Sequence, residues 1–236
     1  MQSGLQLPKR LPLSRARVGT RWMRIHARRK SALWFGPATG GPPMHRFDDP
    51  LGRFRLCYFG TTIEVCFAET FLRNPPVGIL ALDDLAARAV ATVEVRRELR
   101  LVPLHGPNLA RLGTTVEPAS GSDYALSQEW SRALWEHADA PDGVVYRSRH
   151  DDSAVCVALY DRARDSVAIA GMREVVGATS SATIGTTAVE AKLAAEIHAA
   201  CIGRASDAWS MPSSSRRCAP SRSRTLSCSA TFSARS

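Results

Sequence analysis

Glu69 is the carboxylate in this sequence whose surroundings call for chemistry. It lies in an apolar run formed by Ile63, Val65, Cys66, Phe67, Ala68, Phe71 and Leu72, with no Lys or Arg three or four positions before it. A lone carboxylate buried among such residues is costly unless something pairs with it. Glu69 therefore turns to a cleft, bonds a ligand, or meets Arg46 or Arg73. An ordinary pair with Arg73, four residues on, is the plainest of these readings. Ser148 lies in a polar connection, residues 147–153, between two strand patterns. Loops held by strands are common places for ligand contacts; a turn serine bonding its own backbone is the alternative. Tyr58 closes a strand pattern and is either a cleft residue or a core tyrosine.

The elements that would position these side chains can be read in order. Residues 22–26 form a first strand. Residues 27–46 are a Gly- and Pro-rich loop, in which Trp34 and Phe35 wall a cleft or anchor the loop. Asp48, Asp49, Pro50 and Gly52 make a turn. Residues 55–59 form a strand that Gly60 ends. Thr61 can cap the next helix, with Glu64 closing a capping box, and Asn74-Pro75-Pro76 stops it. Strands follow at 78–82, 90–95 and 99–104, with a short helical segment over 83–88 and another within 105–115. Ser122 or Asp123 caps a helix over 124–137, whose Leu126, Trp130, Ala133 and Leu134 share one face. Residues 144–146, 155–160 and 166–170 complete the strands. A helix over 188–200 fits its apolar spacing.

Composition sets the bounds. The chain has 236 residues, 44% of them hydrophobic, enough for one domain with tails. The formal charge of +9 invites a nucleic-acid reading. Its placement argues otherwise, because residues 1–30 hold nine Lys or Arg, residues 208–236 hold five Arg, and neither segment holds an acid. The remainder is acidic on balance, whereas a nucleic-acid binder carries its basic patch on the folded domain. Residues 1–20 are expected to be a basic, disordered extension. Residues 172–236 are rich in Ala, Ser, Thr and Arg. They are expected to be partly disordered, with the character of an out-of-frame tail. No apolar run approaches the roughly 18 residues of a membrane span. The six cysteines form no Cys-x-x-Cys pair, which fits buried thiols in a reducing cytoplasm and gives zinc no support. His150 with Asp151 and Asp152 makes a metal cluster only on paper. No Gly-x-Gly-x-x-Gly and no P-loop occurs, so any nucleotide site must be built from scattered side chains.

Four segments in order carry a resemblance: Arg24 in Met-Arg-Ile; Arg46-Phe47-Asp48 before a Pro/Gly turn; the strand ending in Tyr58 with the helix bearing Ala68-Glu69; and residues 143–160, with Tyr146, Ser148 and a following strand. Together, over roughly residues 22–171, they resemble the RES domain family. The resemblance implies a single α/β (α+β) domain, residues 21–171, with a mixed sheet similar to the ADP-ribosyltransferase fold. It also implies a bacterial toxin that degrades NAD and a helix-turn-helix antitoxin of the Xre type as partner. Contact with nucleic acid would then be indirect, through the antitoxin. A homo-oligomer stays open.

Cleaving the nicotinamide–ribose bond builds an oxocarbenium-like transition state, so the site needs a negative charge near the ribose more than a strong acid. By the resemblance, Glu69 takes that role. Arg24 and Arg46 grip the diphosphate, since the guanidinium fork binds phosphate oxygens in pairs. Tyr58 stacks on the nicotinamide or bonds the ribose, and Ser148 bonds the amide or a ribose hydroxyl. NAD is then the substrate, with no resident cofactor and no metal. Inorganic phosphate is the favoured acceptor, as in an NAD phosphorylase. Water would make the chain an NAD glycohydrolase, and a protein side chain would make it an ADP-ribosyltransferase. The altered C-terminal segment motivates a reading of another class, a catalytically inactive RES-like binding module.

Overall fold

The computed structural model describes residues 5–36, 42–72 and 82–175. Eight strands form one mixed sheet among these residues. They are β1 (Ser14–Ala16), β2 (Arg21–Ala27), β3 (Leu56–Gly60), β4 (Arg88–Val95), β5 (Leu99–Leu104), β6 (Gly143–Arg147), β7 (Val155–Tyr160) and β8 (Val167–Glu174). The helices are α1 (Ile63–Phe71), α2 (Leu82–Ala86), α3 (Asn108–Leu112), α4 (Glu117–Ser120) and α5 (Tyr124–Glu136), with a 3-10 turn over Asp161–Ser166. The strand order is β1-β5-β6-β7-β3-β2-β4-β8. β5 and β6 run parallel, and every other neighbouring pair is antiparallel. A parallel pair needs a crossover, and α3, α4 and α5 supply it.

Chain connectivity forces this sheet to curl. Four strands stand between β4 and β5 in the sheet order, a separation of about 24 Å if the sheet were flat. Residues 96–98 alone join the two strands, and so short a link spans about 14 Å at most. The halves β1-β5-β6-β7-β3 and β2-β4-β8 therefore fold toward each other. Trp22, Val93, Val95 and Val167 of one half meet Leu99, Leu101, Val157 and Leu159 of the other in one core. A second core fills the opposite face of the larger half, where Leu112, Trp130 and Leu134 of the helices cover Val102, Val144 and Tyr160. A third packs Cys66 and Phe67 of α1 on Ile25 and Val90.

Most expected elements stand within a residue or two of their places, and Trp130 and Leu134 are buried as anticipated. Several expectations need correction. Residues 1–20 are not a disordered extension throughout: Ser14–Ala16 pairs with β5, and Leu11 is buried. The Leu11 amide donates to Asp139 Oδ2 at 2.8 Å, and His137 Nε2 lies 3.0 Å from the Pro8 carbonyl. The helix cap is Thr62, whose side chain accepts from the Val65 amide at 3.3 Å. Thr61 instead donates to the Val155 carbonyl at 3.1 Å, which removes it from the capping box. The last strand continues beyond residue 171 to Glu174, and Val175 is buried. Leu82 opens a helix rather than ending a strand. Arg73, the Pro75-Pro76 stop, the remainder of the 78–82 strand and the 188–200 helix lie outside the described residues, as does the tail from residue 176. No described helix is long and apolar enough to cross a membrane.

Candidate active site

β2 and β3 are registered through one pair, Met23 opposite Gly60, whereas β2 and β4 pair along seven residues. The sheet is thus loosest at the β2–β3 seam. A cavity of about 410 Å³ is lined from both sides of it, by Arg24 and His26 of β2, Tyr58 of β3, Glu69 of α1 and Arg46 of the preceding loop. Four of the five residues singled out from sequence therefore share one cavity, and the fifth, Ser148, touches it through Glu69.

Glu69 is half-buried near the end of α1. Ser148, 2% exposed, donates to Glu69 Oε1 at 2.6 Å and accepts from the His150 amide at 3.1 Å. That amide fixes the hydroxyl, and the hydroxyl fixes the carboxylate. Ser148 thus positions Glu69, with its single proton already engaged.

Arg46 is 7% exposed. Its Nη1 donates to the Gly121 carbonyl at 2.6 Å and to Ser127 Oγ at 3.4 Å, and the guanidinium stacks 4.8 Å from the Tyr124 ring centroid. Its Nη2 is buried without a hydrogen-bond partner among the described residues. Burial pulls the Arg46 pKa below its ordinary value; Tyr124 opposes that shift, Arg149 adds to it, and Glu69 opposes it from across the site. A fixed cation with an open donor is suited to an anionic ligand.

The loop carrying Arg46 is held by Asp48. Its Oδ2 accepts from the Met44 amide at 3.0 Å and the His45 amide at 2.9 Å, and its Oδ1 accepts from Tyr58 at 3.1 Å. The Tyr58 hydroxyl in turn accepts from the Phe47 amide at 3.1 Å. Burial, with the Asp48 charge added, raises the Tyr58 pKa well above its ordinary value, so the phenol keeps its proton. Sequence reading took Asp48 as a turn former; its carboxylate also ties the strand tyrosine to the arginine loop. Arg24 donates through Nη1 to the Ala32 and Trp34 carbonyls, both at 3.0 Å, and contacts Cys57 Sγ. It anchors the 27–46 loop as well as lining the cavity. Trp34 and Phe35 divide the roles foreseen for them: Trp34 lines the cavity, and Phe35 is 1% exposed in the core.

Cys66 and Cys156 also reach the cavity. Burial pushes the Cys66 thiol up to about 12, and burial with the Glu69 charge raises Cys156 further. Neither is a thiolate near neutrality, so nucleophilic sulfur chemistry is disfavoured. Among the described residues, no group of three or more His, Cys, Asp or Glu side chains could hold a metal ion. Sequence reading passed over His26. The available signal was alternation: His26 stands two positions after Arg24 on one strand, hence on the same face.

Three comparisons bear on this geometry. A family model described as RES domain matches residues 21–176. A curated relative, "Probable toxin y4kH" of Sinorhizobium fredii, is 36% identical over 88 residues, which cover 37% of this chain and 66% of that protein. A chain of the M. tuberculosis MbcT–MbcA toxin–antitoxin complex superposes with a TM-score of 0.50 at 17% identity, covering 66% of this chain and 84% of its own. At that identity the likeness concerns the fold.

Proposed function

The chain belongs to the RES domain family, and from that membership we propose that it is the toxin of a toxin–antitoxin pair, cleaving the nicotinamide–ribose bond of NAD. One observation carries the reading. A carboxylate aligned by a serine hydroxyl shares a cavity with a buried guanidinium that has an open donor. The anion suits the cationic ribose of the transition state, and the guanidinium suits the diphosphate. As the C1–N bond breaks, its electron pair passes to the pyridinium nitrogen and nicotinamide leaves neutral. Glu69 offsets the positive charge developing on the ribose. An oxygen of inorganic phosphate then attacks C1, giving ADP-ribose-1″-phosphate. Phosphate as acceptor, and the enzyme class of NAD phosphorylase, rest on the family resemblance. So does an Xre-type helix-turn-helix antitoxin, with support from the relative's name and the toxin–antitoxin neighbour. A toxin that consumes NAD works where NAD is held, in the cytoplasm.

Nicotinamide release tests this, measured with and without phosphate. Glu69→Ala is expected to slow release by about 100- to 1000-fold. Arg46→Ala is expected to raise KM by roughly 10- to 100-fold. Arg46→Lys keeps the charge but loses the fork, and should recover part of that loss. Release independent of phosphate would turn the acceptor to water, and labelled protein would turn it to a side chain. A folded protein that releases nothing, and whose growth toxicity Glu69→Ala leaves unchanged, would leave the inactive binding module.

A further inference from the structure

His26 is 5% exposed and lines the same cavity. Its Nδ1 lies 3.0 Å from the Ala27 carbonyl and 3.1 Å from the Lys30 carbonyl. Carbonyl oxygens only accept, so Nδ1 carries the proton, and in the neutral ring Nε2 holds a lone pair. The ring cannot exchange these roles without facing two acceptors with a third. The turn that presents them is itself fixed, since the Lys30 amide donates to the Ala27 carbonyl and the Arg28 amide to the Ala87 carbonyl, each at 2.9 Å. Yet Nε2 is buried with no partner among the described residues. Buried polar atoms are nearly always paired, and an unpaired one calls for a reason. An apolar side chain in its place would leave no unpaired atom. Arg46 and His26 both line this cavity, and the buried atom that each leaves without a partner among the described residues is complementary to the other: Arg46 Nη2 is a donor and His26 Nε2 is an acceptor.

We propose that His26 is a ligand-binding residue whose Nε2 accepts a hydrogen bond from a neutral O–H or N–H donor of the bound dinucleotide. The donor is a ribose hydroxyl or the nicotinamide amide. The identity of the ligand rests on the reading above; the fixed, unfilled acceptor stands on geometry. One cavity thus reads both faces of its ligand, the anionic oxygens through Arg46 and a neutral donor through His26.

The test combines ring-nitrogen NMR of imidazole-¹⁵N-labelled protein with binding of NAD, ADP-ribose and nicotinamide mononucleotide in phosphate-free buffer. In the free protein the neutral His26 ring is expected to be protonated at Nδ1 and bare at Nε2, and adding NAD should shift the Nε2 resonance. His26→Asn keeps a donor near the two carbonyls and removes Nε2. It is expected to weaken NAD binding by about 2- to 10-fold while thermal unfolding stays close to that of the parent. His26→Gln, which can place an amide oxygen near the Nε2 position, should restore part of the affinity. A loss shared by NAD and ADP-ribose assigns the donor to a ribose hydroxyl. A loss confined to NAD and nicotinamide mononucleotide assigns it to the amide. The opposite tautomer, or a folded His26→Asn that binds NAD like its parent, overturns the proposal. If the parent itself binds no NAD, the dinucleotide reading fails and this proposal falls with it, an outcome the parent arm alone identifies.

Discussion

Tyr58 shows how a site residue can act without meeting the substrate through its polar atom. Its hydroxyl donates to Asp48 and accepts from the Phe47 amide, so both ends of that bond are engaged inside the protein. Tyr58→Phe strands the Phe47 amide and leaves Asp48 one donor short. The expected cost is about 1–3 kcal/mol of stability, read as a lower urea midpoint. If the phenol holds the Arg46 loop, KM should rise more than kcat falls, and the loss in kcat should be well below that of Glu69→Ala. A kcat loss equal to that of Glu69→Ala in a protein of normal stability would instead put Tyr58 among the reacting groups. The sequence singles out Tyr58, Arg46 and Glu69 through motifs that resemble the RES domain, and all three line one cavity. It could not reveal that Ser148 faces Glu69, since those residues are 79 positions apart and meet only through the fold.

At the scale of elements, α1 decides where Glu69 sits. Thr62 caps it, and Val65, Cys66, Phe67 and Ala68 are its buried residues. Gly60, where β3 ends, lets the helix come close. A Cβ added there would stand 2.5 Å from Val65 Cγ1 and 2.7 Å from Cys66 Sγ. Valine is stiff about χ1, so the helix rather than the side chain must yield. Gly60→Ala is expected to destabilise the protein by about 1–3 kcal/mol and to slow nicotinamide release, because a shifted α1 pulls Glu69 from Ser148. Unchanged activity in that variant would mean that the helix position tolerates change. The cap assignment was only half legible from sequence. Thr61 and Thr62 are equally good cap residues by type, and the choice is made by the Val155 carbonyl, which takes the Thr61 hydroxyl.

For the molecule as a whole, the curled sheet makes residues 8–16 part of the domain. β1 covers the edge of β5, and Asp139 and His137 hold the segment before it. An uncovered strand edge leaves amides and carbonyls without partners. Removal of residues 1–17 is therefore expected to lower the melting temperature by on the order of 5 °C, with nicotinamide release persisting in the cold. An unchanged melting temperature would return this segment to the status of a loose extension. Composition favoured that status because Ser14-Arg15-Ala16 has no alternating apolar pattern. Its strand conformation comes from the β5 edge that receives it.

The sequence by itself determined the identity of most strands and of the long helix, because side-chain periodicity is local and each element's pattern lies within a few residues. It also determined that Glu69 had to be accounted for, since its apolar neighbours cannot leave a carboxylate unpartnered at low cost. Only the tertiary structure decided the strand order, the curl forced by the short β4–β5 link, and the loose β2–β3 seam where the cavity opens. It also decided that His26, a residue lining that cavity, keeps a buried nitrogen without a partner among the described residues. These are relations between segments far apart in the chain, settled by packing, and no local pattern encodes them.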